Sequence, residues 1–191
     1  SVSCVGGRAY GCLMQNIKTF ADVELKCTDS GLGSTIYNNA GIIGTFRSCN
    51  EGATDAGKYL GIMNNVENNA KISCKLSTGG LGGVAGHLVG PVLLYDCVNN
   101  SNIVGEAFKD ASSVSDVNIA GIVGSTKDGG SNYWLIKCVN NGKVSTSSGA
   151  IVGQLCGISG YNAGTYIDCE NNASGSDISF KVQLSTLNGT A

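Results

Sequence analysis

Apolar residues in this chain come in short runs, and Gly, Asn, Asp or Ser closes almost every one. The main runs are Ile42-Ile43, Leu81, Val84-Ala85, Val92-Leu93-Leu94-Tyr95, Ile122-Val123, Trp134-Leu135-Ile136, Ile151-Val152 and Tyr166-Ile167. Most carry β-branched or aromatic side chains, which suit a pleated, half-buried surface, and turn formers bound them. No window sustains apolar residues at i, i+3, i+4 and i+7, so the pattern predicts many short strands and little helix. Residues 1–35 break the pattern. Within 13–27, Leu13, Ile17 and Phe20 have helical spacing, whereas Val23, Leu25 and Cys27 alternate. This predicts an N-terminal cap of one short helix or a strand. Residues 176–187 alternate strictly, with Ile178, Phe180, Val182 and Leu184 on one side and Ser179, Lys181, Gln183 and Ser185 on the other. That is the clearest strand in the chain. It either caps its own fold or pairs with a neighbouring subunit by strand addition, which would build a homo-polymer.

Between these ends the runs recur. An Asn-Asn pair returns in CVNNSNIV at 97–104, CVNNGKVS at 138–145 and CENNASGSDIS at 169–179. VENNAKIS at 66–73 is a fourth copy, and IYNNAGII at 36–43 a looser fifth. The pairs start at 38, 68, 99, 140 and 171, giving steps of 30, 31, 41 and 31 residues. A Gly-rich motif runs between them as AGIIG (40–44), GGVAG (82–86), AGIVG (120–124) and GAIVG (149–153). Repeats of this length signal stacked units. The expected fold is all-β: a parallel β-solenoid, or β-helix, of short strands forming one domain over 1–191. It has an atypical N-terminal cap (1–35), a repeat region (36–176) and a terminal strand and tail (177–191). Asn tolerates φ > 0 and suits the corners of such a coil, and stacked Asn amides can hydrogen-bond from coil to coil. Gly permits close backbone approach at the bends. The 41-residue step implies an insertion within 106–118 or 127–132, projecting as a loop.

Composition narrows the function. Charged residues are only 14% of the chain and the formal net charge is −2, with no long basic run, which speaks against nucleic acid. No apolar run is long enough to span a bilayer as a helix. Nine cysteines stand at Cys4, Cys12, Cys27, Cys49, Cys74, Cys97, Cys138, Cys156 and Cys169, with no C-x-x-C among them. Their number points to an oxidising compartment and several disulfides, and because the count is odd at least one thiol is unpaired or bonds another chain. Buried thiols packed as small apolar groups are the alternative. Cys97, Cys138 and Cys169 share one repeat position, so adjacent coils would bring their Cα atoms to about 5 Å.

AGIIG, GGVAG, AGIVG and GAIVG, with flanking stretches such as CVNNGKV at 138–144, resemble the GLUG motif. The resemblance covers about 36–176. Its usual Leu is Ile or Val here, and GAIVG places its first Gly one position early. GLUG repeats occur in bacterial and protist extracellular proteins, including adhesins and the non-catalytic parts of some secreted peptidases. The resemblance implies a β-solenoid at the cell surface and supplies no catalytic residues.

The residues themselves offer little chemistry. His87 is the single histidine, and no G-x-S-x-G elbow accompanies it. Asp96 and Asp168 each precede a repeat Cys, and Lys137 takes the same place before Cys138. These three are expected in one column, as a surface charge ladder or, in a carbohydrate-active β-helix, a catalytic cluster. Asn99, Asn172 and Asn188 each open an N-glycosylation acceptor, and the first two fall in corners expected to be exposed. No catalytic residue, cofactor or metal site is assigned. The expected function is a non-enzymatic extracellular or cell-surface structural or adhesive protein, possible as a fibre subunit, with a glycan or cell-surface ligand. A secreted carbohydrate-active enzyme or carbohydrate-binding module is the alternative.

Overall fold

The computed structural model describes residues 1–27, 38–48, 59–108, 116–126, 133–147, 152–160 and 164–173, with Cys27 described by its backbone alone. Cys49, Asn188 and the expected terminal strand over 177–191, with Ile178, Phe180, Val182 and Leu184, lie outside these residues.

All the described elements are strands, in four parallel sheets. Sheet A stacks β1 (Gly6–Tyr10), β5 (Ile43–Arg47), β9 (Ala85–Val89) and β13 (Val123–Ser125). Sheet B stacks β2 (Leu13–Lys18), β6 (Gly61–Asn68) and β10 (Val92–Asn99). It continues through β14 (Tyr133–Ile136) with β15 (Val139–Asn140), and β18 (Thr165–Ile167) with β19 (Glu170–Asn171). Sheet C holds β3 (Glu24–Cys27), β7 (Lys71–Leu76), β11 (Ile103–Ala107) and β16 (Val144–Thr146). Sheet D holds β4 (Asn39–Ala40), β8 (Gly79–Gly82), β12 (Val117–Ala120) and β17 (Gln154–Cys156). The chain visits A, B, C and D in turn, and each strand pairs in parallel with its counterpart one circuit later. This is the expected parallel β-solenoid, with one coil per repeat.

The N-terminal segment is a coil of the same stack. β1, β2 and β3 pair in register with β5, β6 and β7. The helical spacing of Leu13, Ile17 and Phe20 carries no helix: Leu13 and Phe20 are exposed, and Ile17, level with Val66, turns inward because the strand holds one positive-φ residue. That residue is Asn16, and Asn65, Asp96, Lys137 and Asp168 repeat it at φ 51 to 56°. Each adds one residue to the alternation, as a β-bulge does. The inward positions therefore become Met63 and Val66, Leu94 and Cys97, and Leu135 and Cys138, three apart rather than two. The bulge is what turns the repeat cysteines inward.

Two apolar cores run along the stack. Ile43, Phe46, Leu88, Met63, Leu94, Tyr133 and Leu135 fill the space between sheets A and B. Ile72, Leu76, Leu81, Ile103, Ile119 and Val144 fill that between C and D. Sheets D and A meet backbone to backbone through glycines. A Cβ on Gly80 or Gly82 would overlap the backbone of Gly86, Ala85 or Gly124. In cross-section the coil is therefore two nested arches: B and C form the outer one, and D and A the inner one with its arms back to back. The tip of the inner arch is the G-x-x-G turn.

That turn corrects two sequence assignments. Ala40, Gly82, Ala120 and Cys156 are register partners. The fourth copy is therefore CGISG at 156–160, and GAIVG at 149–153 precedes β17 instead. Ser159 in place of Ile, Val or Ala hid the true copy. The first coil uses Cys4-Val5-Gly6-Gly7, in which the Cys4, Val5 and Gly6 N–H groups donate to the carbonyls of Gly41 and Ile42. The loose pair Asn38-Asn39 likewise belongs to sheet D and not to the corner where the other pairs lie.

Candidate functional site

The Asn pairs occupy the B-to-C corner, the apex of the outer arch. Their first members point inward as an unbroken amide ladder. Asn68 Nδ2 donates to Asn99 Oδ1, Asn99 Nδ2 to Asn140 Oδ1, and Asn140 Nδ2 to Asn171 Oδ1, each at 2.8 Å. Each of the first three also donates to the backbone carbonyl two residues on, which closes the corner. The second members form an outer ladder of opposite polarity. Asn172 donates to Asn141, Asn141 to Asn100, and Asn100 to Asn69. The amide dipoles of the two ladders thus oppose each other along the stack.

The inner ladder touches the inner arch. A Cβ on Gly83 would strike Asn99, and one on Gly121 would strike Asn140. The two sequence motifs are therefore the two halves of one contact, and the glycines are required by close approach to the amides. In the first coil Thr19 stands in the ladder position. Its hydroxyl donates to Asn68 Oδ1 at 2.8 Å and accepts from the N–H groups of Asn69 and Ala70. A hydroxyl has one donor and two acceptor sites, so Thr19 closes the ladder at this end. Asn171, at the other end, is exposed.

Asn99 is fully buried, with both amide atoms bonded. This corrects its reading as an exposed acceptor: of the pair at this corner, Asn100 is the exposed member. Asn172 is such a second member and is exposed, donating to Asn141.

Cys97, Cys138 and Cys169 stack behind Val66 on the inner side of sheet B. All seven cysteines whose side chains are described are free thiols: Cys4, Cys12, Cys74, Cys97, Cys138, Cys156 and Cys169. The disulfides expected from the cysteine count are absent at these positions. In-register neighbours on parallel strands hold their Cβ atoms about 4.8 Å apart, beyond the roughly 3.5–4.5 Å that a disulfide spans. The column is packed as small apolar groups instead. The hydrogen bond to Cys169 pulls the Cys138 thiol down, but the bond to Cys97, burial and the neighbouring sulfur outweigh it and hold the thiol well above its usual range. Its bond to Cys138, followed by burial, raises Cys169 likewise.

Asp96, Lys137 and Asp168 do fall in one column, with Asn16 and Asn65, and all three are exposed. Lys137 lays its ammonium 5.7 Å from the centre of the Tyr95 ring. His87 lies level with Thr45 and Ser125 on sheet A, away from that column. Among the described residues no three His, Cys, Asp or Glu side chains converge as a metal site requires, and no helix is long and apolar enough to cross a membrane.

The outer faces of the two outer sheets differ sharply. On sheet C, Lys26, Lys71, Ser73, Lys75 and Glu106 face out with a single apolar Val104 among them, and Lys75 and Glu106 pair across coils. Sheet B presents an apolar column of Leu13, Ile62, Leu93 and Trp134, and beside it Tyr95, Ile136 and Ile167. Sequence reasoning missed this face, because the phase change at each bulge hides which residues point out.

No family model, no curated protein and no solved structure matches this chain.

Proposed function

We propose that this chain is a non-enzymatic structural or adhesive scaffold of an extracellular or cell surface. The observation that carries this reading is where the chain varies in length. The D-to-A turn always has two residues, 41–42, 83–84 and 121–122, and three of the four apex corners have two or three. At the base of the arches the C-to-D connection ranges from two residues at 77–78 to eleven at 28–38, and the A-to-B connection from two at 11–12 to thirteen at 48–60. A fixed stack whose connections vary in length is how repeat scaffolds offer a binding surface. The resemblance of the G-x-x-G turns to the GLUG motif supports the same reading and the surface location.

Capture of the immobilised chain on a panel of glycans and whole cells tests it, beside a variant with 109–115 replaced by Gly-Ser. Capture lost in the variant at an unchanged urea midpoint supports display by the base connections. Release of reducing ends from a polysaccharide by the intact chain would sink the non-enzymatic reading, and Lys137→Ala abolishing that release would favour the carbohydrate-active alternative. A carbohydrate-binding module is the second reading, because Trp134 and Tyr95 face out on a flat sheet where sugar rings could stack.

A further inference from the structure

We propose that the Asn171-Asn172 end of the stack is a recognition site for a strand of a separate polypeptide that carries an Asn-Asn corner. The inference is independent of what the base connections bind.

The hydrogen bonds at the apex carry it, because they repeat between coils as a set of three. The first Asn of the lower coil donates its amide to the first Asn of the upper one. The second Asn of the upper coil donates its amide to the second Asn of the lower one. The backbone N–H of that upper residue donates to the carbonyl of the lower coil's first Asn, as Asn100 does to Asn68, Asn141 to Asn99 and Asn172 to Asn140. At Asn171 and Asn172 the next set is half made. Among the described residues, Asn171 Nδ2 donates to nothing and Asn172 Oδ1 accepts nothing. This end therefore presents one amide donor, one amide acceptor and, by the same pattern, the Asn171 carbonyl. An incoming Asn-Asn pair complements all three in one geometry.

The surroundings suit a strand. Among the described residues β18 and β19 are the last strands of sheet B, and an unpaired edge is a template for strand addition. The core is open there too: Tyr166 and Cys169 are half-buried, whereas Leu135 and Cys138 of the coil below are fully buried. A strand with apolar residues five and two places before its Asn pair, as Met63 and Val66 stand before Asn68, covers both.

The opposite end excludes a second copy stacked head to tail. There Thr19 makes all three bonds alone. Its hydroxyl donates to Asn68, the same hydroxyl accepts from the Asn69 N–H, and its carbonyl accepts from the Asn69 amide. The hydroxyl also accepts from the Ala70 N–H, so its one donor and two acceptor sites are used. Set over Asn171, the Thr19 side chain has no site left for that amide. Phe20 follows it and has no side-chain donor for Asn172. Within this chain, residues 174–191 hold Asn188 alone and no Asn-Asn pair. The complement comes from another polypeptide.

Fluorescence anisotropy with labelled peptides and the full chain provides the test. A peptide of residues 61–73 carries Met63, Val66 and Asn68-Asn69, and no cysteine. It should bind saturably at a single site and slow hydrogen exchange across 165–172 but not across 13–27. Replacing either Asn of its pair by Ala should weaken binding about tenfold, the cost of stranding a polar group. A peptide of residues 13–23, with Thr19-Phe20 at the corner, should bind at least as weakly. On the protein, Asn171→Asp still accepts from Asn140 but has no amide to donate, and should weaken binding by the same factor at unchanged circular dichroism. Asn172→Ala, at an exposed position, serves where the Asp variant fails to fold. Failure of the 61–73 peptide to bind the full chain overturns the proposal. Equal binding by the two peptides overturns it, as does exchange slowed across 13–27 instead. Binding that appears only after deletion of 174–191 overturns it too, since the chain then covers its own end.

Discussion

Asn99 and Asn100 are adjacent and identical in type, yet their environments divide them. The Asn99 amide is buried, receives Asn68, and supplies Asn140 and the Ser101 carbonyl. Truncating it leaves buried polar atoms without a partner, which costs about 1–3 kcal/mol for each group so stranded. Asn100 is exposed, and water replaces what it loses. Asn99→Ala should therefore lower unfolding free energy by about 2–3 kcal/mol, and Asn100→Ala by less than about 1 kcal/mol. Urea denaturation with unchanged m-values checks both. Equal losses would show that the ladders share the load. Lys137 is a second case where local chemistry and position disagree. It holds φ 54°, where Asn16, Asn65, Asp96 and Asp168 of the other coils are residue types that tolerate that region. A left-handed backbone costs an ordinary residue roughly 1–2 kcal/mol. Lys137→Asn should stabilise by about 0.5–1 kcal/mol even after losing the contact with Tyr95, visible as a higher Tm. A lower Tm would mean that the Lys137–Tyr95 contact outweighs the backbone strain.

At the scale of elements, sheet B shows how one backbone angle controls a column of side chains. A strict two-residue alternation would turn Cys97, Cys138 and Cys169 outward as the phase of Leu94 and Leu135 runs on; the bulge returns them to the core. Burial and sulfur neighbours keep Cys138 and Cys169 protonated in the fold. Because these folded thiols titrate above the unfolded value, the stability they add is complete at neutral pH. It declines as pH rises past the ordinary thiol value of about 8.5. Native protein treated with iodoacetamide at neutral pH should leave Cys97 and Cys138 unmodified, and both should label fully in urea. Mass spectrometry finding Cys138 in a disulfide would overturn this account of the column.

Across the whole molecule, ion pairs tie successive coils together. Lys18 of the first coil bonds Glu67 of the second, and Lys75 of the second bonds Glu106 of the third. The hydrogen bond from Lys18, opposed by some burial, holds Glu67 below the usual carboxylate range. Glu106 is lowered too: burial pushes it up, but bonds from Lys75 and Ser147 outweigh that. A depressed carboxylate stabilises the fold above the unfolded pKa of about 4.3 and ceases to do so as pH falls through the folded value. The urea midpoint should therefore drop below about pH 4, and the Glu67→Gln, Glu106→Gln double variant should flatten that drop. Both pairs are partly exposed, so added salt should weaken the effect.

The parallel stack itself was legible in the chain, because a solenoid repeats its local chemistry at every coil. Short β-branched runs, Asn pairs and G-x-x-G turns each recur at a spacing set by one circuit. The column of Asp96, Lys137 and Asp168 followed from register alone. Local pattern could not show that the first Asn of each pair is buried, because the Gly83 and Gly121 turns that cover Asn99 and Asn140 arrive from a distant part of the coil. Nor could it place the first coil, where Thr19 does the work of Asn and Cys4-Val5-Gly6-Gly7 that of the turn. The apolar outer face of sheet B emerges only when five strands from five separate segments are aligned, since no single strand carries more than two or three of its residues. Sequence determined the period, because period is local chemistry repeated. Tertiary structure decided inside and outside, because burial belongs to the neighbours that a residue acquires.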